Sequence, residues 1–392
     1  MDPQASHSSL ECKITIDACG RSLGRDPLRD GFCGGSDVHL GVPVTKDAVT
    51  EGEEILVDLE DLTSSASGWV ASNQTAGNNV IAYKSSQSAT TSQSSDDTFD
   101  YPYDTTLGPT GGSNIDAART NAFYIINKVH DYAYKYGWTE TSYNFQNSNF
   151  GKGGAEGDRV LMSVQDSGGT NNANFATPPE YVLSQVVNLG PVGCTYGLLR
   201  PRIAMERSRM ISVVHEFTHG ITNRLTGGGT GRCLQTTEAG GMGEGWSDAM
   251  AEYVWTEHKD STVPDYVLAT WVFNNPAGIR AHPYSTNPSV NPLRYSSIQQ
   301  LHEVHGKNPQ TNRQSRSLLN PQHPDIGEVW ANMLHNVYAA LIEVHGFSST
   351  AMDDPSGTEG NIVWLHLFID ALSLQPCNPT LPNARDAWIQ AD

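Results

Sequence analysis

Residues 215–219 read His-Glu-Phe-Thr-His, and residues 243–248 read Gly-Glu-Gly-Trp-Ser-Asp. Around the first motif, residues 210–222 have apolar side chains at helical spacing, with no proline and no glycine before Gly220. This pattern predicts a helix that ends near that glycine. The second motif lies within residues 242–253, whose apolar stripe also predicts a helix. We therefore expect two helices, each of which presents one motif.

The first motif has the residue types of a metal site. Residues four apart share a helix face, so the imidazoles of His215 and His219 can converge on one ion at about 2.0–2.1 Å. Glu216 then projects beside that ion, where it can take a proton from a water molecule, as in zinc peptidases. A five-residue pattern also arises by chance, so this motif alone leaves an ordinary helix as the alternative.

The second motif supplies the missing part of the site. A catalytic zinc ion keeps three protein ligands and one open position, so two histidines need one more ligand. We predict that Glu244 is this third ligand. Asp248 follows one helical turn later, where its carboxylate can accept a hydrogen bond from the outer ring nitrogen of a ligating histidine. A Glu-x-x-x-Asp pattern on a second helix makes a chance match much rarer.

Residues 215–228 and 238–248 resemble fungalysin, the secreted fungal metallopeptidase family related to thermolysin. The resemblance runs, with gaps, from about residue 77 to the C-terminus. It implies a zinc metalloendopeptidase with Glu216 as its general base and one zinc ion per chain. It also implies three zinc ligands: His215, His219 and Glu244.

The fold implied by this resemblance is α+β, a thermolysin-like two-lobe metallopeptidase with zinc in the cleft between the lobes. Residues 51–225 are expected to form the β-rich N-terminal catalytic lobe, which ends in the zinc helix. Residues 226–392 are expected to form a helical C-terminal lobe that is truncated and carries an insert at 306–325. Residues 1–50 stay unassigned, as a propeptide remnant or a misassigned start. The family carries a signal peptide and a propeptide, as secreted zymogens do, and neither is recognisable here.

Other candidate site residues come from the same resemblance. Asn172 and Ala173 resemble the edge strand that pairs with an extended peptide substrate. Arg280 resembles the arginine that holds a substrate carbonyl near the metal, with a solvated arginine as the alternative. His305 resembles the histidine that stabilises the developing oxyanion, and His323 competes with it for that role. A tyrosine donor is implied as well, but the sequence does not place it.

The chain also departs from the family pattern. The resemblance fails between about residues 180 and 212, which suggests an out-of-frame segment caused by a gene-model error or a frameshift. The Asn-, Gln-, Pro- and Arg-rich insert at 306–325 has no apolar period, which suggests a retained intron. Because the chain ends early relative to the family, we expect Cys377 to lack its partner and the last helices to be underpacked. The alternative function is therefore an inactive, partly folded relative that only binds metal.

Composition limits the class of protein. A formal net charge of −19 and a pI of about 5.0 argue against nucleic-acid binding, which needs a basic surface. No apolar stretch is long enough to cross a bilayer. We expect a secreted, extracellular monomer that acts on protein or peptide substrates. Calcium stays an open alternative as an additional ion, with no assignable ligands.

Apolar periodicity predicts the remaining elements. Residues 79–83 and 159–164 are predicted strands. Residues 115–136 form the clearest amphipathic helix of the first half. Three further helices are predicted, over residues 326–347, 362–374 and 383–391. In the first of them, Val337 and Val344 are expected to face inward.

Overall fold

Short strands precede and flank the helices that carry the two motifs. The computed structural model describes these parts of the chain: residues 39–43, 53–56, 59–84, 87–90, 98–102, 104, 106–108, 110–166, 173–180, 186–187, 207–255, 262–270, 275–300 and 326–392. All strands of this part lie before residue 188, and five of its six α-helices begin after residue 206. The architecture is therefore a mixed one, with many helical residues and few strands.

The strands form two small sheets. They are β1 (His39–Pro43), β2 (Glu53–Leu56), β3 (Val80–Tyr83), β4 (Thr98–Phe99), β5 (Val160–Ser163) and β6 (Val186–Val187). One sheet has the order β2-β1-β4, and the other has the order β3-β5-β6. Strands β3 and β5 run parallel, with Val80 opposite Val160, and every residue of both strands is buried. The strands predicted at 79–83 and 159–164 are thus confirmed, and they are buried on both faces.

The helices lie where apolar periodicity predicts them. They are α1 (Asn114–Lys135), α2 (Arg207–Leu225), α3 (Thr237–Trp255), α4 (Ile326–His345), α5 (Gly360–Leu374) and α6 (Leu381–Ala391). All six helices predicted from the sequence are confirmed, and most of their ends agree within a few residues. Helix α1 packs on strands β1 and β3 and on α2, while α3 lies between α2 and α4. Helices α2 and α3, which carry the two motifs, are therefore neighbours in the core.

The buried face of α4 differs from the predicted one. Val337 and Val344 are exposed by 38% and 75%, so the expectation that they face inward is wrong. The inner stripe includes His335, whose Nδ1 lies 2.6 Å from Glu252 Oε1 of α3, and Asn332, which accepts the backbone N–H of Ser285. Polar side chains with partners can occupy a core face. Apolar periodicity therefore misjudged the rotation of this helix.

A disulfide joins the loop between α2 and α3 to the loop between α5 and α6. It links Cys233 to Cys377, so the expectation that Cys377 lacks a partner is wrong. Asn378 extends the connection, because its backbone N–H donates to the Cys233 carbonyl and its side chain accepts from the backbone N–H of Gln235. The expectation that the last helices are underpacked is also wrong, because Trp364 of α5 is 1% exposed and Leu381 of α6 is 2% exposed. Distant parts of the chain meet here, which sequence spacing alone does not show.

The C-terminal end of α2 is held by a buried group of ions. Arg224 is fully buried and pairs with Asp158, at 3.0 Å, and with Glu180. Burial raises the pKa of Asp158 to about 6, and the Arg224 guanidinium opposes this rise. Because Asp158 precedes β5 and Glu180 ends the segment 173–180, the three ions tie both segments to α2.

Among the residues that the structure describes, no helix combines the length and apolarity needed to cross a membrane.

Helices α3 and α4 approach each other closely at two glycines of α3. A Cβ on Gly241 would lie 2.6 Å from Ile326 Cβ. A Cβ on Gly245 would lie 2.6 Å from the Gly327 carbonyl oxygen and 2.9 Å from Trp330 Cβ. Such distances do not occur between real atoms of these types, so only glycine allows this approach. Residue 244 between these glycines is thereby held close to the core.

We predict that Gly245→Ala lowers the free energy of unfolding by about 1–3 kcal/mol, because the added methyl group forces α3 and α4 apart. Gly243→Ala is the matched control on the same helix. Its Cβ would meet only Leu234 Cδ1, at 3.4 Å, and alanine favours a helix over glycine by about 0.5–1 kcal/mol. Urea denaturation of both variants checks the difference. Equal stabilities would show that the close approach is not tight.

Candidate metal centre

Three candidate ligands meet where α2 and α3 face each other. His215 and His219 lie one turn apart on α2, and their ring centroids are 4.8 Å apart. Glu244 of α3 points between them, with Oε2 3.2 Å from His215 Nε2 and 3.4 Å from His219 Nε2. The donor atoms of these three residues all lie within 4.8 Å of one another, the single such group among the described residues.

Two of the three donor separations match those around one tetrahedral metal ion. Four ligands at about 2.0–2.1 Å from zinc would be separated from each other by about 3.3–3.4 Å. The two separations from Glu244, 3.2 and 3.4 Å, agree with this value. The three side chains keep 12–16% of their exposure, so one side of the group opens to solvent. The donor set therefore suits a zinc ion with an accessible coordination position.

The carboxylates around His215 stabilise a positive charge at that imidazole. Burial lowers the pKa of His215, but hydrogen bonds to Asp248 and Glu244 outweigh it and raise the pKa to about 10. Burial alone would raise the pKa of Glu244, but the nearby His219 and His215 hold it well below its usual value. A site that favours protonation of a buried imidazole also attracts a metal cation, and the proton and the cation compete for the same ring nitrogen.

The charges of the group suit a divalent ion. Three carboxylates, those of Glu216, Glu244 and Asp248, lie with one guanidinium, that of Arg280. With neutral imidazoles, the group carries two net negative charges. Burial is the main cause that raises the pKa of Glu216 above its usual value, while the neighbouring His219 and His215 oppose it. A carboxylate that binds protons more tightly than usual suits a general base.

Asp248 accepts hydrogen bonds on both of its carboxylate oxygens. Oδ1 lies 2.8 Å from His215 Nδ1 and accepts from Arg280 Nη2 at 2.7 Å. Oδ2 accepts from Arg280 Nε at 2.7 Å and from the hydroxyl of Tyr284. Burial opposes the ionised form of Asp248, but the Arg280 charge and the His215 bond lower its pKa well below the usual range. This carboxylate therefore joins a candidate ligand to the segment that carries Arg280.

Two residues of the site were not found from the sequence. Tyr284 is 1% exposed and donates to Asp248, and Ser247 Oγ lies 3.2 Å from His219 Nδ1. Ser247 follows Glu244 by three positions, so helical spacing could have indicated it. Tyr284 could not be found in this way, because it comes from an irregular segment that lies 36 residues from Asp248.

The remaining predicted site residues have different outcomes. Arg280 has a side-chain exposure of 10% and is paired, so the alternative of a solvated arginine is wrong. Ala173 is partly buried, in a segment that forms no regular strand but runs along α2, where Phe175 packs on Phe217. Asn172 and His305, like His323 and the insert at 306–325, lie outside the described residues.

Comparison with known proteins identifies similar chains. A family model described as fungalysin metallopeptidase (M36) matches residues 40–392. Extracellular metalloproteinase 9 of Coccidioides posadasii is 39% identical over 359 residues, which are 88% of this chain and 52% of that protein. Extracellular metalloproteinase MEP of Pyricularia oryzae is 39% identical over 353 residues, 86% of this chain and 52% of that protein. The chain thus spans about half the length of the curated relatives that it matches.

We predict that Asp248→Asn weakens zinc binding by about 10–100-fold, because a neutral amide is a weaker acceptor than the carboxylate that orients His215. It should also lower the free energy of unfolding by about 3–5 kcal/mol, since buried Arg280 loses its partner charge. Competition with a chromogenic chelator measures the first effect.

Asp131→Asn is the matched control for this variant. Asp131 is 3% exposed and accepts hydrogen bonds from Trp69 Nε1 and Ser65 Oγ on α1's side of the core. We expect this variant to lose stability but to bind zinc as the wild type does. Unchanged zinc affinity in Asp248→Asn would contradict the role assigned to Asp248.

Proposed function

This chain belongs to the fungalysin (M36) metallopeptidase family, and from that premise we propose that it is a secreted zinc metalloendopeptidase that hydrolyses peptide bonds in extracellular proteins. The observation that carries the proposal is the convergence of His215 Nε2, His219 Nε2 and Glu244 Oε2, with Glu216 beside them. The relatives from Coccidioides posadasii and Pyricularia oryzae are named extracellular metalloproteinases. Neither the described residues nor the relatives favour the alternative of an inactive relative that only binds metal.

We propose that His215, His219 and Glu244 hold one zinc ion. When bound, zinc supplies a Lewis acid that polarises a carbonyl group and lowers the pKa of water. The fit rests on the separations of Glu244 Oε2 from the two imidazole nitrogens, 3.2 and 3.4 Å, and on the carboxylates that surround the group. Calcium has no assigned ligands in this proposal.

Glu216 is the proposed general base. It follows His215 directly on α2 and interacts electrostatically with both histidines and Glu244, and it is not one of the three grouped donors. It accepts the proton of the attacking water and then donates that proton to the leaving amine. Without a metal ion, burial raises the pKa of Glu216, and a base whose pKa is closer to neutral returns the proton more easily.

Two further groups are proposed to act on the substrate. Among the described residues, Arg280 donates to Asp248 from Nε and Nη2, and its remaining guanidinium protons are proposed to reach the substrate carbonyl. His305 is proposed to donate a hydrogen bond to the developing oxyanion. The segment with Asn172 and Ala173 is proposed to pair with the extended peptide, and its anchorage on α2 through Phe175 supports this role.

The proposed arrangement of the whole chain has two lobes with zinc in the cleft. Residues 51–225 form the β-rich N-terminal lobe, and residues 226–392 form the helical C-terminal lobe. The distribution of strands before residue 188 and of helices after residue 206 supports this division. We propose a monomer that is made as a zymogen, with protein and peptide substrates as its partners.

We predict cleavage of an internally quenched peptide that 1,10-phenanthroline abolishes and zinc restores. Glu216→Gln should bind zinc normally but lower kcat by at least about 10²-fold, the contribution of a general base. Exposed Glu343→Gln of α4 is the matched control and should be fully active. Absence of cleavage by zinc-loaded wild type would favour the inactive alternative.

We predict that His305→Ala lowers kcat by about 10²–10³-fold, the usual loss of an oxyanion donor, with a smaller change in KM. His323→Ala is the control, because His323 is the competing histidine before α4. Steady-state kinetics on the same peptide separate the two candidates. A large loss in His323→Ala alone would assign the role to that residue instead.

A further inference from the structure

The outer ring nitrogens of the two candidate histidine ligands face different residues. His215 Nδ1 lies 2.8 Å from a carboxylate oxygen of Asp248, whereas His219 Nδ1 lies 3.2 Å from the hydroxyl oxygen of Ser247. Both partners have no measurable exposure. Each imidazole thus spans the distance from Glu244, at Nε2, to a buried partner of its own, at Nδ1.

We propose that Ser247 is a positioning residue of the metal centre, whose hydroxyl oxygen accepts the Nδ1–H of His219 and so keeps Nε2 of that ring aimed at the metal. The proposal rests on the zinc site of the proposed function and adds the residue that controls the second histidine.

Helix geometry explains why one helix serves both imidazoles. Glu244, Ser247 and Asp248 are three and four positions apart on α3, so they share one face. His215 and His219 are four apart on α2, which packs against that face. Ser247 therefore lies under one imidazole and Asp248 under the other, and their burial keeps water from competing for either Nδ1.

The two partners differ chemically. A carboxylate only accepts hydrogen bonds, so Asp248 requires a proton on His215 Nδ1 with or without metal. A hydroxyl both donates and accepts, so Ser247 allows either tautomer of neutral His219 until a cation uses Nε2. The neutral hydroxyl also polarises the ring less than a carboxylate does. Removal of Ser247 Oγ should therefore weaken metal binding less than removal of the Asp248 charge does.

Ser247→Ala tests this role through the metal alone, without substrate. We expect zinc affinity, measured by competition with a chromogenic chelator, to fall about tenfold, at the lower end of the range for such partners. The thermal unfolding midpoint of the metal-free protein is measured in parallel. A merely structural role for Ser247 would lower that midpoint and leave zinc affinity unchanged, which would overturn the proposal.

Ser163→Ala is the matched control, because Ser163 is 1% exposed and donates to Asp166 rather than to a ligand. We expect its zinc affinity to equal that of the wild type, and a tenfold loss here too would overturn the proposal by making the Ser247 effect non-specific. Spectra of the zinc-loaded protein labelled with ¹⁵N-histidine give a second readout. In Ser247→Ala, the Nδ1 proton of His219 should exchange faster, while that of His215 stays protected.

The outcomes separate this inference from the proposed function. Wild type that binds zinc and cleaves peptide, together with unaltered affinity in Ser247→Ala, would overturn the role of Ser247 and leave the peptidase intact. Wild type that binds no zinc would overturn both.

Discussion

The rest of the site depends on the hydrogen bonds that the buried, ionised carboxylate of Asp248 accepts. This carboxylate receives two hydrogen bonds on each oxygen, from His215, from Arg280 twice and from Tyr284. A buried carboxylate is stable only when such donors replace water. Because the donors come from α2 and from the irregular segment 278–285, one side chain of α3 sets the relative position of all three. Loss of this charge would leave a buried guanidinium without its partner.

Close packing keeps this geometry in place. Gly241 and Gly245 let α3 approach α4 at distances that no other residue allows. The Cys233–Cys377 disulfide ties the loop between α2 and α3 to the loop before α6, and Arg224 ties the end of α2 to Asp158 and Glu180. Candidate ligands held by rigid helices would need little reorganisation to bind a metal ion.

Different residues of α3 contact the two ring nitrogens of each candidate histidine of α2. A single helix contributes Glu244 toward Nε2 of both rings and a separate partner for each Nδ1. The charged partner, Asp248, fixes one imidazole before any cation arrives. The neutral partner, Ser247, supports the other imidazole in the tautomer that a cation selects. The candidate metal centre is therefore built from residues of α2 and α3, together with the segment that brings Arg280 and Tyr284.

The sequence by itself determined the elements and the local pairs of the site. Helical spacing identified α2 and α3, the pair His215 and His219, and the position of Asp248 one turn after Glu244, because residues three and four apart share a helix face. The same reasoning failed where long-range packing decides. Apolar spacing predicted that Val337 and Val344 face inward, because the sequence does not show that Asn332 and His335 have buried partners. Only the tertiary structure paired Cys377 with Cys233 and brought Tyr284 and Arg280 to Asp248, since these contacts join residues 144, 36 and 32 positions apart, whose proximity no local pattern records.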